Sequence, residues 1–202
     1  MATLICYPST YRVSFAGKTI HTTVTDKASV AEAWVRDILT LYRHAQQVIV
    51  GLDIEWRPHA ISYLSNKSAT LQLCIDDQCL ILQLFYMDML PQLLKDFLGD
   101  SKFMFVGIEV GDDIRKLRNE YGLNCNRHTD IREAAKARYP YRFSRPGLKD
   151  LALELVGLRM LKPKHVCMSN WENRVLSPEQ IEYACIDAYC SYKIGYKLLV
   201  EK

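Results

Sequence analysis

Residues 11–25 read YRVSFAGKTIHTTVT, two runs of alternating apolar and polar positions on either side of Ala16-Gly17-Lys18. Period-two alternation is the side-chain repeat of a strand, and a glycine-bearing break between two such runs predicts a hairpin with one buried face. From 29 to 44 the spacing changes. Val30, Ala33, Trp34, Ile38 and Leu41 recur at helical intervals, which predicts a helix. A nearly continuous apolar run, VIVGLDIEW (48–56), predicts a buried strand; ATLQLCI (69–75) and CLILQLF (79–85) predict two more, joined by a tight polar turn at Asp76-Asp77-Gln78. Residues 88–98 predict a helix, KFMFVGIEV (102–110) another buried strand, and GDDIRKLRNEYG (111–122) a helix closed by Gly122. The C-terminal third reads as mostly helical, with 124–146 an irregular segment rich in Arg and Tyr. Strands that first run in succession and then alternate with helices predict an α/β fold: a mixed β-sheet flanked by helices on both faces.

With 202 residues and no internal repeat or linker, the chain is read as a single domain, 1–202. A hydrophobic share of 49% and a charged share of 24% fit a globular protein and argue against a disordered chain. The start of the chain lacks the basic, then apolar, pattern of a signal peptide, and no run of about eighteen uncharged apolar residues suggests a membrane span. The expected location is cytoplasmic, with the nucleus left open. Seven cysteines (Cys6, Cys74, Cys79, Cys125, Cys167, Cys185, Cys190) form no CxxC pair, so reduced thiols are expected and a zinc site is not. A net charge of +3 is compatible with an anionic partner without singling one out.

The strand at 48–56 carries an anomaly. Successive strand side chains face opposite ways, so Asp53 and Glu55 share one face while Val50, Leu52, Ile54 and Trp56 share the other. Two neighbouring carboxylates repel and resist desolvation, so on a covered sheet they need a cation between them, an exposed strand end, or a partner such as Arg57. SPEQIEYACIDAYCSYKIGYKLL (177–199) opens with a Ser cap and Pro at the first helical position, and places Tyr183, Asp187, Cys190, Ile194 and Leu198 on one apolar stripe. A carboxylate is thereby aimed inward, one turn after a phenol. In GDDIRKL, Ile114, Leu117 and Tyr121 define the buried stripe; Asp113 borders it and Asp112 points away. Four carboxylates from separate segments suit two magnesium ions, which prefer oxygen ligands. Two such ions about 3.5–4 Å apart stabilise both the attacking and the leaving oxygens of a phosphoryl displacement.

The D-I-E of 53–55, the G-I-E-V-G-D-D-I-R-K-L of 107–117 and the Y-A-C-I-D of 183–187 resemble the DnaQ-like, or DEDD, 3′-5′ exonuclease superfamily on the ribonuclease H-like fold. Tyr183 resembles the tyrosine subtype. Similarity to the Werner-type exonucleases extends through GLKDLALELVG (147–157) and LKPKHVCMSNWENRVLSPEQIEYACIDAY (161–189) and covers 47–200. With nothing appended, the chain is most similar to the short plant RISC-interacting clearing exoribonucleases. That resemblance implies single-stranded RNA as substrate, an Argonaute context and a homo-oligomer such as a hexameric ring. It also implies two Mg²⁺ (or Mn²⁺) ions per site, with Asp53 bridging them, Glu55 and Asp187 completing the site of the ion that binds the attacking water, Asp113 holding the second and Tyr183 positioning the water. One departure is the doubled aspartate with an extra residue after Gly107-Ile108, so Asp112 stays open as a substitute for Asp113.

KARYPYRFSRPGLK (136–149) interleaves Lys136, Arg138, Arg142, Arg145 and Lys149 with Tyr139, Tyr141 and Phe143, a mixture suited to gripping phosphates and stacking bases, or equally to a solvated basic loop with inward aromatics. Arg138, Arg142 and Arg145 are candidate nucleic-acid contacts. So are Lys162 and Lys164, near His165 and Trp171, and Trp56, which follows the acids directly. Two alternatives stand beside the RNA reading: a Werner-type DNA exonuclease, since only contacts to the 2′-hydroxyl would discriminate, and an inactive nucleic-acid-binding scaffold.

Overall fold

The computed structural model describes residues 9–59 and 65–201, so Cys6 and the start of the chain lie outside it. Strands β1 (Ser9–Phe15) and β2 (Lys18–Thr25) form the expected antiparallel hairpin, with Ala16 and Gly17 both at positive φ (48° and 76°) in the two-residue turn. Helix α1 (Ala28–Leu41) follows, then β3 (Val48–Glu55), β4 (Thr70–Ile75) and β5 (Gln78–Leu82). The strand expected to run to residue 85 ends earlier. The Gln83 amide donates to the Thr25 carbonyl at 2.9 Å, and Leu84–Tyr86 forms a 3-10 turn. Helix α2 (Gln92–Gly99) begins four residues later than periodicity alone predicts, because Pro91 disfavours helical geometry in the residue before it and becomes the cap.

β6 (Phe103–Gly107) leads into α3 (Val110–Tyr121), which closes on Gly122 at φ 67° as expected. The segment 124–146 is more ordered than its composition suggests. It holds a short strand, β7 (His128–Asp130), and helix α4 (Ile131–Arg138), capped where the Asp130 carboxylate accepts the Arg132 amide at 2.8 Å. Two shorter helices, α5 (Leu148–Val156) and α6 (Lys164–Cys167), precede α7 (Pro178–Leu199). The start of α7 is fixed by a reciprocal cap: the Gln180 amide donates to Ser177 Oγ at 3.2 Å, and the Ser177 amide to Gln180 Oε1 at 3.0 Å.

The sheet order is β1-β2-β5-β4-β3-β6-β7, with β3 antiparallel to β4 and parallel to β6. Two cores cover it. On one face Val48, Val50, Leu52 and Ile54 pack with α1, α2 and α3; on the other Ile49, Cys74, Cys79 and Val106 pack with α4, α5 and α7. This is the mixed, doubly covered sheet that the pattern predicts.

Helix α7 was expected to bury one stripe, but it is buried almost all round, with Tyr183, Ala184, Asp187, Ala188, Cys190, Ser191, Ile194 and Leu198 among its buried residues. Gly51 explains how closely it approaches β3. A Cβ there would stand 1.9 Å from the Ala188 carbonyl oxygen and 2.7 Å from the Tyr192 nitrogen. Gly51, Asp53 and Glu55 alternate onto the same face of β3. The glycine that admits the helix backbone therefore fixes Asp187, one residue before Ala188, against the two strand acids. Among the described residues no helix is long and apolar enough to cross a membrane.

Candidate active site

Asp53, Glu55 and Asp187 each place a carboxylate oxygen so that all three lie within 4.8 Å of one another. They line a cleft of about 530 Å³ at the C-terminal end of β3, with Trp56, Ile108, Glu109, Asp113, Leu148, Lys162 and Cys167 among its other walls. Asp113 stands apart from the three, in the first turn of α3, and borders the same cleft. Asp112 also reaches the rim, but its side chain is 64% exposed and accepts a 2.7 Å bond from Arg115 Nη2. The geometry thus separates the two adjacent aspartates as the helical wheel does: Asp113 inward, Asp112 outward.

Crowding has a clear electrostatic signature. Burial, then the Asp187 carboxylate, pushes Asp53 up to about 7, while Lys162 pulls the other way. Burial followed by Asp53 and Asp187 pushes Glu55 up to about 10. Burial, then Asp53, raises Asp113 to about 8. Asp187 is raised by burial, against the pull of Lys162. Four acids that resist ionisation together in one cleft want positive charge between them.

Lys162 supplies part of it, its Nζ lying 2.6 Å from Asp187 Oδ2. The other oxygen, Asp187 Oδ1, is buried with no hydrogen-bond partner among the described residues, though the Tyr183 hydroxyl lies near enough to favour the charged carboxylate. An orphaned buried carboxylate oxygen, beside two more carboxylates within reach, fits a hard divalent cation such as Mg²⁺ or Mn²⁺. The acids Asp53, Glu55 and Asp187 would hold one such ion, and Asp113 lines the same cleft.

Tyr183, one turn before Asp187, is buried, its ring 5.9 Å from that of Trp171. Burial and the nearby carboxylates of Asp187 and Glu55 hold its phenol protonated, far above the ordinary range. It is therefore both the core aromatic that its helix position suggests and a hydroxyl set beside the acids. Trp171 itself is a core residue, 1% exposed.

The candidate nucleic-acid contacts separate. Trp56 lines the cleft beneath Lys116, whose Nζ is 5.3 Å from the ring centre and 2.6 Å from Glu120. Lys162, grouped in the sequence with Lys164 and His165, instead enters the acid cluster. Arg138 donates to the carbonyls of Leu198 and Glu201, both at 2.9 Å, and so closes the end of α7. Arg142 pairs with Glu154 at 3.0 Å and lies over the rings of Tyr139 and Phe143, which pack against the core. Arg145 and Lys164 are exposed, and so is Tyr141. Sequence reasoning missed Glu109, a cleft residue with φ 55° that caps α3. Its amide donates to Asp130 at 2.8 Å and its carboxylate accepts from Arg132 at 2.8 Å. Nothing in the residue type signals a positive φ there.

A family model described as "3'-5' exonuclease" matches residues 23–201. A "3'-5' exonuclease" of Arabidopsis thaliana is 33% identical over 188 residues, covering 92% of this chain and 64% of the relative. The mouse "Bifunctional 3'-5' exonuclease/ATP-dependent helicase WRN" is 29% identical over 153 residues, 74% of this chain and 11% of that protein. The chain therefore spans less than two thirds of either relative. Among solved structures, Escherichia coli RNase D, whose description is "an exoribonuclease involved in structured RNA processing", superposes with a TM-score of 0.70 at 18% identity, covering 88% of this chain and 44% of that one. The Aedes aegypti Nibbler EXO domain superposes with a TM-score of 0.69 at 19% identity, covering 87% and 85%. The family match takes in every acid of the cleft, and the chain belongs to the 3′-5′ exonuclease family, on the DnaQ-like, ribonuclease H-like fold.

Proposed function

We propose that this chain is a tyrosine-subtype 3′-5′ exoribonuclease that removes nucleoside 5′-monophosphates from single-stranded RNA at a site for two divalent metal ions. The observation that carries the reading is the convergence of Asp53, Glu55 and Asp187 within 4.8 Å, beside an orphaned Asp187 oxygen, with Asp113 and Tyr183 at hand. Mg²⁺ or Mn²⁺ bound there supplies charge neutralisation at the attacking and leaving oxygens of an in-line displacement.

The chain's own groups divide the remaining work. Asp53, central among the acids, is assigned to both ions, Glu55 and Asp187 to one, and Asp113 to the other. Tyr183 orients the attacking water from the Asp187 side, its phenol kept protonated by burial and the adjacent carboxylates. Trp56, fixed beneath Lys116, offers a face to a base of the strand, while exposed Arg145 and Lys164 serve phosphates further along it. Arg138 and Arg142, committed within the fold, are assigned no strand contact. A small-RNA setting with an Argonaute partner, and assembly into a ring, rest on the resemblance of the sequence motifs alone.

The test is purified protein on matched 5′-labelled RNA and DNA strands with Mg²⁺, Mn²⁺ or EDTA. Stepwise shortening from the 3′ end, faster on RNA and abolished by EDTA, is the expected result. Faster digestion of DNA would overturn the substrate class, and binding without digestion under either metal would turn the chain into a scaffold.

A further inference from the structure

We infer that Lys162 is a built-in placeholder for metal: its ammonium neutralises the acid cluster and holds Asp187 in position while the site is empty, and it gives up that carboxylate when a divalent ion arrives. The inference rests on the metal reading above. Lys162 is the single basic side chain among the described residues that line the cleft, against six acids in the same wall: Asp53, Glu55, Glu109, Asp112, Asp113 and Asp187. Its Nζ lies 2.6 Å from Asp187 Oδ2, and the ammonium also lies 5.4 Å from the centre of the Tyr183 ring.

The same contact has a cost for metal loading. An ion that takes both free lone pairs and full charge from Asp187 competes with a charge-assisted hydrogen bond. Lysine suits an exchangeable tenant. Its charge is compact and sits on a flexible stem, unlike the fixed fork of an arginine. Its backbone lies in the irregular stretch between α5 and α6, next to Leu161, which is 77% exposed, so the side chain can withdraw without unpacking an element. A third of the side chain, 35%, already meets solvent.

The experiment compares wild type with Lys162→Met by calorimetric Mn²⁺ titration and by thermal melting in EDTA and in saturating Mn²⁺. Loss of the competing bond should tighten Mn²⁺ binding by about tenfold. Metal-free Lys162→Met should melt lower than wild type, and Mn²⁺ should restore it, because an ion that binds the folded state stabilises it. In an Asp187→Asn background the Lys162→Met change should lose most of its effect on metal-free melting, which a general packing role would not produce. Equal or weaker Mn²⁺ affinity in Lys162→Met would overturn the placeholder while leaving the metal reading intact. So would a full effect in the Asp187→Asn background, or failure to fold even with Mn²⁺. Absence of Mn²⁺ uptake by wild type would overturn both readings.

Discussion

Loading the site with metal should expel protons, and the cleft sets how many. Carboxylates must be ionised to ligate, so acids kept protonated by their neighbours release protons when a cation replaces those protons. With Asp53 pushed up to about 7, Asp113 to about 8 and Glu55 to about 10, the metal-free cleft at pH 7 retains protons on these acids, and loading releases more than one of them. By pH 9 essentially only the Glu55 proton is left, and the release falls to about one. Lys162 stays charged across this range and adds nothing to the count. Calorimetric Mn²⁺ titrations in buffers of different ionisation enthalpy measure the number directly, as the slope of observed heat against buffer heat. The same shifts set the stability of the metal-free protein. The folded chain retains protons on the three acids that the unfolded chain gives up above about pH 4–5, so their contribution is most favourable at acid pH and is lost as pH rises through about 7, 8 and 10. Melting in EDTA should therefore weaken from pH 5 to pH 8, and saturating Mn²⁺ should remove that slope. Proton release near zero at pH 7, or equal release at pH 7 and pH 9, would refute the idea that these carboxylates share one crowded, water-poor cleft.

Three further outcomes follow from individual side chains. Asp113→Asn should abolish most nucleotide release while Asp112→Asn, which breaks only an exposed pair with Arg115, should leave it near wild type; single-turnover assays decide, and the reverse result would mean that the inward aspartate is misassigned. Tyr183→Phe should lower kcat by roughly 10²–10⁴ with Mn²⁺ affinity unchanged, since Phe keeps the ring beside Trp171 and loses only the hydroxyl. Near-normal turnover would leave Tyr183 as a core aromatic alone. Gly51→Ala should cost about 3 kcal/mol or more in denaturant unfolding, because the new methyl meets the backbone of α7 and not a movable side chain. A loss under about 0.5 kcal/mol would show that α7 can lift away from β3 freely.

What could be read from the sequence was whatever a local period encodes. The two strand acids, the inward Asp187 and the outward Asp112 are all consequences of side-chain direction on a single element, and the fold agrees with each. What escaped depends on partners distant in the chain. β7 is three polar residues and exists because β6 offers it a parallel edge, with the Phe105 amide donating to the Arg127 carbonyl at 3.0 Å. Arg138 and Arg142 look like phosphate ligands until the end of α7 and Glu154 claim them. Lys162 looked like one member of a surface cluster, because nothing within ten residues of it announces that it will meet an acid on α7.

The strand acids Asp53 and Glu55 are synthesised long before α7, the last described element, brings Asp187 down on Gly51. Until that helix emerges from the ribosome and docks, a nascent chain carries Asp53, Glu55 and Asp113 but not Asp187, the acid that completes the cluster. On the function proposed above, a chain terminated ahead of α7 would lack Tyr183 and the carboxylate that closes the acid cluster, and with them the site for a cation.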